Sequence, residues 1–237
     1  MSTFVLVHGA WHGAWCWYKV APLLRARGHI VHMPDLPGLG VDRTPLQFIS
    51  LQNYTDRVCE TLSACKDSVY LVGHSMGGIA ITQAAEAMPE KVKMLAYLTA
   101  FLLPSGRCLL DQAHADPESK VLSNLEFAPD QSSARVKADA IQDIFFADCS
   151  PSDLTLAQAL LVPQAAAPFA TPVQTTPDRW GSVPRTYIEC TADRAISLAA
   201  QRAMHALLPC QRVITMTTSH SPFLSDPDSL TAHFLSL

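Results

Sequence analysis

Between Val69 and Met88 the sequence passes from a β-rich apolar run, Val69 to Val72, through Gly73-His74-Ser75-Met76-Gly77, into a stretch of helical spacing that ends at Met88-Pro89. No other feature constrains the fold as much. A strand that turns at once into a helix has a cramped, strained apex, so glycine or another very small residue is needed two positions before it and two after. The turn lifts the apex serine clear of the strand, and the helix behind it points its N-terminal amides and positive dipole end at the same spot. With 10 glycines in 237 residues, this spacing in this context is rare by chance.

The rest of the chain repeats the alternation. Short β-rich runs recur at Phe4 to Val7, Ile30 to Met33, Met94 to Phe101, Thr186 to Cys190 and Arg212 to Met216. Stretches of helical spacing lie between most of them, at Trp17 to Arg27, Asn53 to Ala64, Ile79 to Ala87 and Leu198 to Leu207. Strand-helix alternation predicts an α/β fold with a mainly parallel sheet of about six strands flanked by helices. The alternation lapses between about Leu103 and Thr176. There Val136, Ala140, Ile141, Ile144 and Phe145 share a helical face, as do Leu154, Ala157 and Leu161 behind a candidate N-cap at Ser152. The expected organisation is one core domain of residues 1–103 and 176–237 with an inserted helical cap of 104–175. Ligands of open parallel sheets bind beyond the carboxyl ends of the strands, so the cap's apolar faces would shape the pocket.

Charge narrows the partner. Seventeen basic and 21 acidic residues give a net charge of -4, and only 16% of residues are charged. Without a run of like charges, nothing steers the chain to nucleic acid or an anionic membrane. No apolar stretch approaches the roughly 18 residues of a membrane span, and Met1-Ser2-Thr3 leads straight into a strand without an export signal. Seven cysteines with no Cys-x-x-Cys pair suit reduced thiols in a cytoplasmic protein better than disulfides or zinc. The expected partner is a small neutral molecule, with a homodimer left open and no metal or cofactor called for.

A serine hydroxyl needs a base, and histidine with its ordinary pKa of about 6.5 is the usual one. Of nine histidines, His74 should point away from Ser75, and His29, His32, His114, His205 and His233 read as filler or surface. His220 follows the last strand, at the same sheet end as Ser75. The third group must orient the imidazole, and Asp193, three residues past Cys190, fits better than Glu189 within the strand or Asp226 and Asp228 at a helix start. The chain order Ser75, Asp193, His220 is then nucleophile, acid, base. The amide of Met76 and that of Ala10, in the loop after the first strand, would form the oxyanion hole. His8 and His12 lie on a strand and its loop with no further ligand cluster, which argues against a metal pair.

Phe4 through Tyr18, Gly73 through Gly78, Tyr97 through Phe101 and Tyr187 through Asp193 together resemble the plant methylesterase and hydroxynitrile lyase family of α/β-hydrolases, and its bacterial esterase relatives still more. The likeness covers both ends of the chain and is weak over the cap. It implies an α/β-hydrolase fold and one of two chemistries: hydrolysis of carboxylic esters through a Ser-His-Asp triad and an acyl-enzyme, or cleavage of cyanohydrins. Lyase members typically have threonine where Gly9 stands and lysine where Ser221 follows the catalytic histidine. Both markers are missing, so a carboxylesterase acting on small apolar, alkyl or aryl esters is expected. A slow-turnover small-molecule receptor of the same fold is the further alternative. The resemblance places Phe101 at a pocket-lining position. Trp11 departs from the small residue common there and would shape the substrate pocket, whereas Trp180 reads as packing.

Overall fold

The computed structural model describes residues 1–237. The chain runs through β1 (Thr3–Val7), α1 (Val20–Ala26), β2 (Ile30–His32), α2 (Leu51–Ala64), β3 (Val69–Ser75), α3 (Gly77–Ala87) and β4 (Val92–Ala100). It then leaves the sheet for α4 (Leu109–His114), β5 (Leu125–Phe127), β6 (Ser133–Val136), α5 (Ile141–Phe145), α6 (Pro151–Leu160), β7 (Gln164–Ala165) and α7 (Ala167–Ala170). The return passes through β8 (Arg185–Cys190), α8 (Leu198–Leu207), β9 (Arg212–Met216), α9 (Pro222–Ser225) and α10 (Pro227–Leu235).

Six strands form one sheet in the order β2-β1-β3-β4-β8-β9, every pairing parallel. Central strands covered on both faces read as unbroken apolar runs, which is why Phe4 to Val7 are all buried while the edge residues Ile30 and Val213 are exposed. Helix α2 shows how a flanking helix is specified. Ser50 and Asn53 close its first turn in a reciprocal capping box, and Tyr54, Val58 and Leu62 turn one stripe into the core. From β1 the chain moves first to β2 on one side and then to β3 on the other. The strand order therefore reverses at the carboxyl ends of β1 and β3, where a crevice opens. No helix is long and apolar enough to cross a membrane.

The excursion from the sheet contains the helices of the expected helical cap and strands besides. A second, antiparallel sheet, β5-β6-β7, runs through it. Val136, expected on a helical face, pairs with Leu125 at the end of β6, and only Ile141 to Phe145 of that face are helical. Strands of three, four and two residues are too short to display a two-residue period. The N-cap of α6 is Ser150, whose hydroxyl accepts from Asp153 N at 3.2 Å, and not Ser152. Pro151 fixes the boundary, since its missing N–H costs nothing in a first turn.

Candidate active site

Ser75 ends β3 with φ of 53°, a left-handed backbone that a side chain seldom adopts. The packing around the elbow enforces this strain. A β-carbon on Gly73 would lie 2.7 Å from Gly77 O, and one on Gly77 2.8 Å from His8 O. Those approaches let α3 start directly against the loop after β1. Phe101 N donates to Ser75 O at 3.1 Å and anchors the apex to the end of β4.

Asp193 and His220 come from the loops after β8 and β9. His220 Nδ1 lies 2.7 Å from Asp193 Oδ2, with both side chains almost wholly buried. The carboxylate is held from every side. Its Oδ1 accepts the amides of Ala195 and Ile196 at 2.7 and 2.9 Å, and Thr99 Oγ1 donates to Oδ2. A carboxylate supplied with this many donors is fixed in its orientation. Ser75 is joined to neither partner by a hydrogen bond. Such contacts are commonly loose before substrate arrives and tighten in the complex.

The imidazole of His220 is positioned by its neighbours. His74, expected to point away from Ser75, packs its ring 4.5 Å from the His220 ring, and its Nε2 lies 2.9 Å from the His220 carbonyl oxygen. Burial holds His74 well below the usual imidazole range, with the neighbouring His220 and His12 rings adding to the effect. It is therefore neutral, and Nε2–H donates. The loop before His220 is fixed from the other side by Asp148, which accepts from Ser219 N at 2.7 Å and from Ser219 Oγ.

Ser75 opens into a chamber of about 150 Å³. Ala10, Met76, Trp11 and Phe101 line it together with residues of the excursion from Leu109 to Ala170, and Ser75 and Ser119 are its only polar side chains. The two residues chosen for their amides and the two chosen as pocket walls thus line the same chamber as the serine. The rejected candidates have structural occupations. Glu189 pairs with Arg202 and accepts from Thr215, and the Arg202 guanidinium holds its carboxyl below the ordinary range. Asp226 caps α10, and Asp228 sits in its first turn. His8 Nε2 accepts from Leu36 N, and His12 Nδ1 bonds to Ala10 O. Trp180 Nε1 donates to Tyr97 OH at 3.0 Å, a packing role.

Sequence reasoning missed Thr99, Asp148 and the contact made by His74. Thr99 carried one local signal, a polar residue within the apolar run of β4. Its φ of 35°, costly for a β-branched residue, is visible only in the folded chain.

The profile of the alpha/beta hydrolase family matches residues 4–233. Methylesterase 2 of Arabidopsis thaliana is 34% identical over an alignment of 251 positions, spanning 99% of this chain and 95% of that protein. Pyrethroid hydrolase of Sphingobium wenxiniae is 31% identical, spanning 97% of this chain and 85% of its own length. The crystal structure of polyneuridine aldehyde esterase superposes with a TM-score of 0.89 at 28% identity, covering 100% of this chain and 98% of that one.

Proposed function

The chain belongs to the alpha/beta hydrolase family, and from that premise we propose that it is a serine carboxylesterase for small apolar alkyl or aryl esters. One observation carries the reading: the buried Asp193–His220 pair touches Ala195, Ile196 and Phe145, which line a mostly apolar chamber together with Ser75 on its strained elbow. The names of the relatives, a methylesterase and a pyrethroid hydrolase, agree with ester substrates.

In the proposed cycle His220 removes the proton of Ser75 as Oγ adds to the ester carbonyl carbon. The amides of Ala10 and Met76 receive the developing oxyanion, a contribution on the order of 10²–10³ per donor in comparable sites. The imidazolium then gives its proton to the departing oxygen, and the alcohol leaves an acyl group on Ser75. Water, deprotonated by His220, adds to the acyl carbon, and the serine departs with its proton as the acid is released. Asp193 remains ionised and holds the imidazole tautomer throughout. Trp11 and Phe101 contact the substrate's apolar parts.

Two features weigh against the lyase alternative. A β-carbon at Gly9 would sit 2.8 Å from Ser75 Cβ, so threonine there requires a rearranged elbow. Ser221, in place of a cyanide-stabilising lysine, is wholly buried. The test is turnover of p-nitrophenyl acetate and butyrate. Many cycles, lost in Ser75→Ala along with labelling by a serine-directed phosphonate, are expected. One stoichiometric burst would instead identify a receptor, and cyanide released from mandelonitrile would identify a lyase. Activity should also fall on the acid side, since only neutral imidazole accepts the serine proton.

A further inference from the structure

A second cavity, of about 220 Å³, lies in the excursion next to the Ser75 chamber. The two have only Trp11 and Phe145 in common among their lining residues. The rings of these residues stand 5.6 Å apart, forming a wall between the chambers. On the far side, Val136, Ile141, Leu161 and Val162 give the second cavity an apolar interior, and the exposed Glu126 and Arg135 mark its opening on the protein surface.

Trp11 is held in this wall at a conformational cost. Its φ is 63°, in the region where a bulky side chain is a clear outlier. The cost is offset on the excursion side: Nε1–H donates to Ala134 O at 2.9 Å, the Trp11 carbonyl accepts Val162 N at 3.0 Å, and the ring packs edge-on against Phe169 at 5.8 Å. A strained backbone carrying a large ring, and over-determined by tertiary contacts, is the kind of departure that persists where the ring has a task.

We propose that Trp11 is a specificity-determining partition, which confines the ester to the Ser75 chamber and closes off an apolar subsite for a longer alkyl limb. With the indole removed, the two chambers would join into a passage from Ser75 to the surface near Arg135. Each further methylene of a substrate could then leave water, at roughly fourfold in binding per buried CH₂. The inference rests on the esterase reading of Ser75, so its tests include one that needs no turnover.

The decisive measurement is the ratio of kcat/KM for octanoate to that for acetate across p-nitrophenyl alkanoates, with octyl against methyl acetate probing the alcohol limb. In the wild type kcat/KM should fall steeply beyond four carbons on either limb, so that both ratios are small. Trp11→Gly, which also relieves the positive φ, should raise one of them at least tenfold. Adding Leu161→Trp, which refills the second chamber from its far side, should return that ratio toward the wild-type value. Neither ratio rising in Trp11→Gly, or a rise that Leu161→Trp leaves untouched, would overturn the proposal. Should Trp11→Gly fail to fold, Trp11→Leu takes its place. Should both fail, the wild-type profile decides, since a flat profile through decanoate would show that Trp11 limits nothing. In the Ser75→Ala background, methyl octanoate should bind at least tenfold more tightly when Trp11→Gly is added. That result would support the partition even if no ester were turned over, and equal binding would refute it.

Discussion

Ser75, Asp193 and His220 hang from the carboxyl ends of β3 and of the two strands at one side of the sheet, whereas the chamber above them is walled mostly by the excursion from Leu109 to Ala170. The first region is fixed by backbone. Its apex is strained, its carboxylate takes two amides, and its side chains are buried. The second region is fixed by apolar side chains on short elements and by polar ties at its margin. Asp143 bridges Lys120 and Arg194 there with side chains nearly half exposed, and Ser119 Oγ reaches Ala195 O at 2.8 Å. In the proposed reaction the first region would set where atoms react, and the second what is brought to them. Backbone geometry tolerates little change, while an apolar wall can be recut without moving the reacting groups.

The largest expected effect breaks the first region. Asp193→Asn leaves its shape but offers His220 the wrong tautomer, and kcat for p-nitrophenyl butyrate should fall about 10⁴-fold with the melting temperature little changed. Next is Thr99→Val, which keeps the volume and removes the O–H donor to Asp193. A hydrogen bond to a charged group is worth about 1.5–3 kcal/mol, so kcat should drop roughly ten- to hundredfold with KM nearly constant. Thr99→Ser should recover most of the loss, which a purely packing role would not allow.

The same region should be acid-labile. Burial pushes the His12 imidazole down to about 3, against its bond to Ala10 O and aided by the His220 and His8 rings. Burial likewise lowers His74 and His8. Between pH 6.5 and these depressed values the unfolded chain binds protons that the folded chain refuses, so stability is full above 6.5 and falls on acidification. The slope is at most about 1.4 kcal/mol per pH unit for each group. Denaturant melts at pH 7 and pH 5 should show the fall, and His12→Asn, which keeps a donor for Ala10 O, should flatten it. The smallest effect sharpens the contrast from the other side: Asp143→Asn cuts exposed ion pairs and should cost under about 1 kcal/mol, vanishing in high salt.

The two regions also differ in how far they could be read from the chain alone. The elbow was legible because its requirement is local: Gly73 and Gly77 stand where β3 and α3 approach within a contact that excludes a β-carbon. Asp193 and His220 were legible because each lies a few residues beyond a strand that announces itself. The antiparallel sheet around Val136 was not, since two to four residues carry no period. Nor was the cap of α6, where Ser150 and Ser152 compete and only the backbone at Pro151 separates them.

The amino-acid order by itself determined the parallel sheet, the elbow at Ser75 and the strand ends that carry Asp193 and His220, because alternation, tight turns and strand ends are written in neighbouring residues. The tertiary structure alone decided that Thr99 holds Asp193, that His74 and Asp148 hold the loop of His220, and that Trp11 stands between two chambers. Each of these is a contact between segments far apart in the chain. Its existence depends on how elements pack against one another, which neither spacing nor periodicity records.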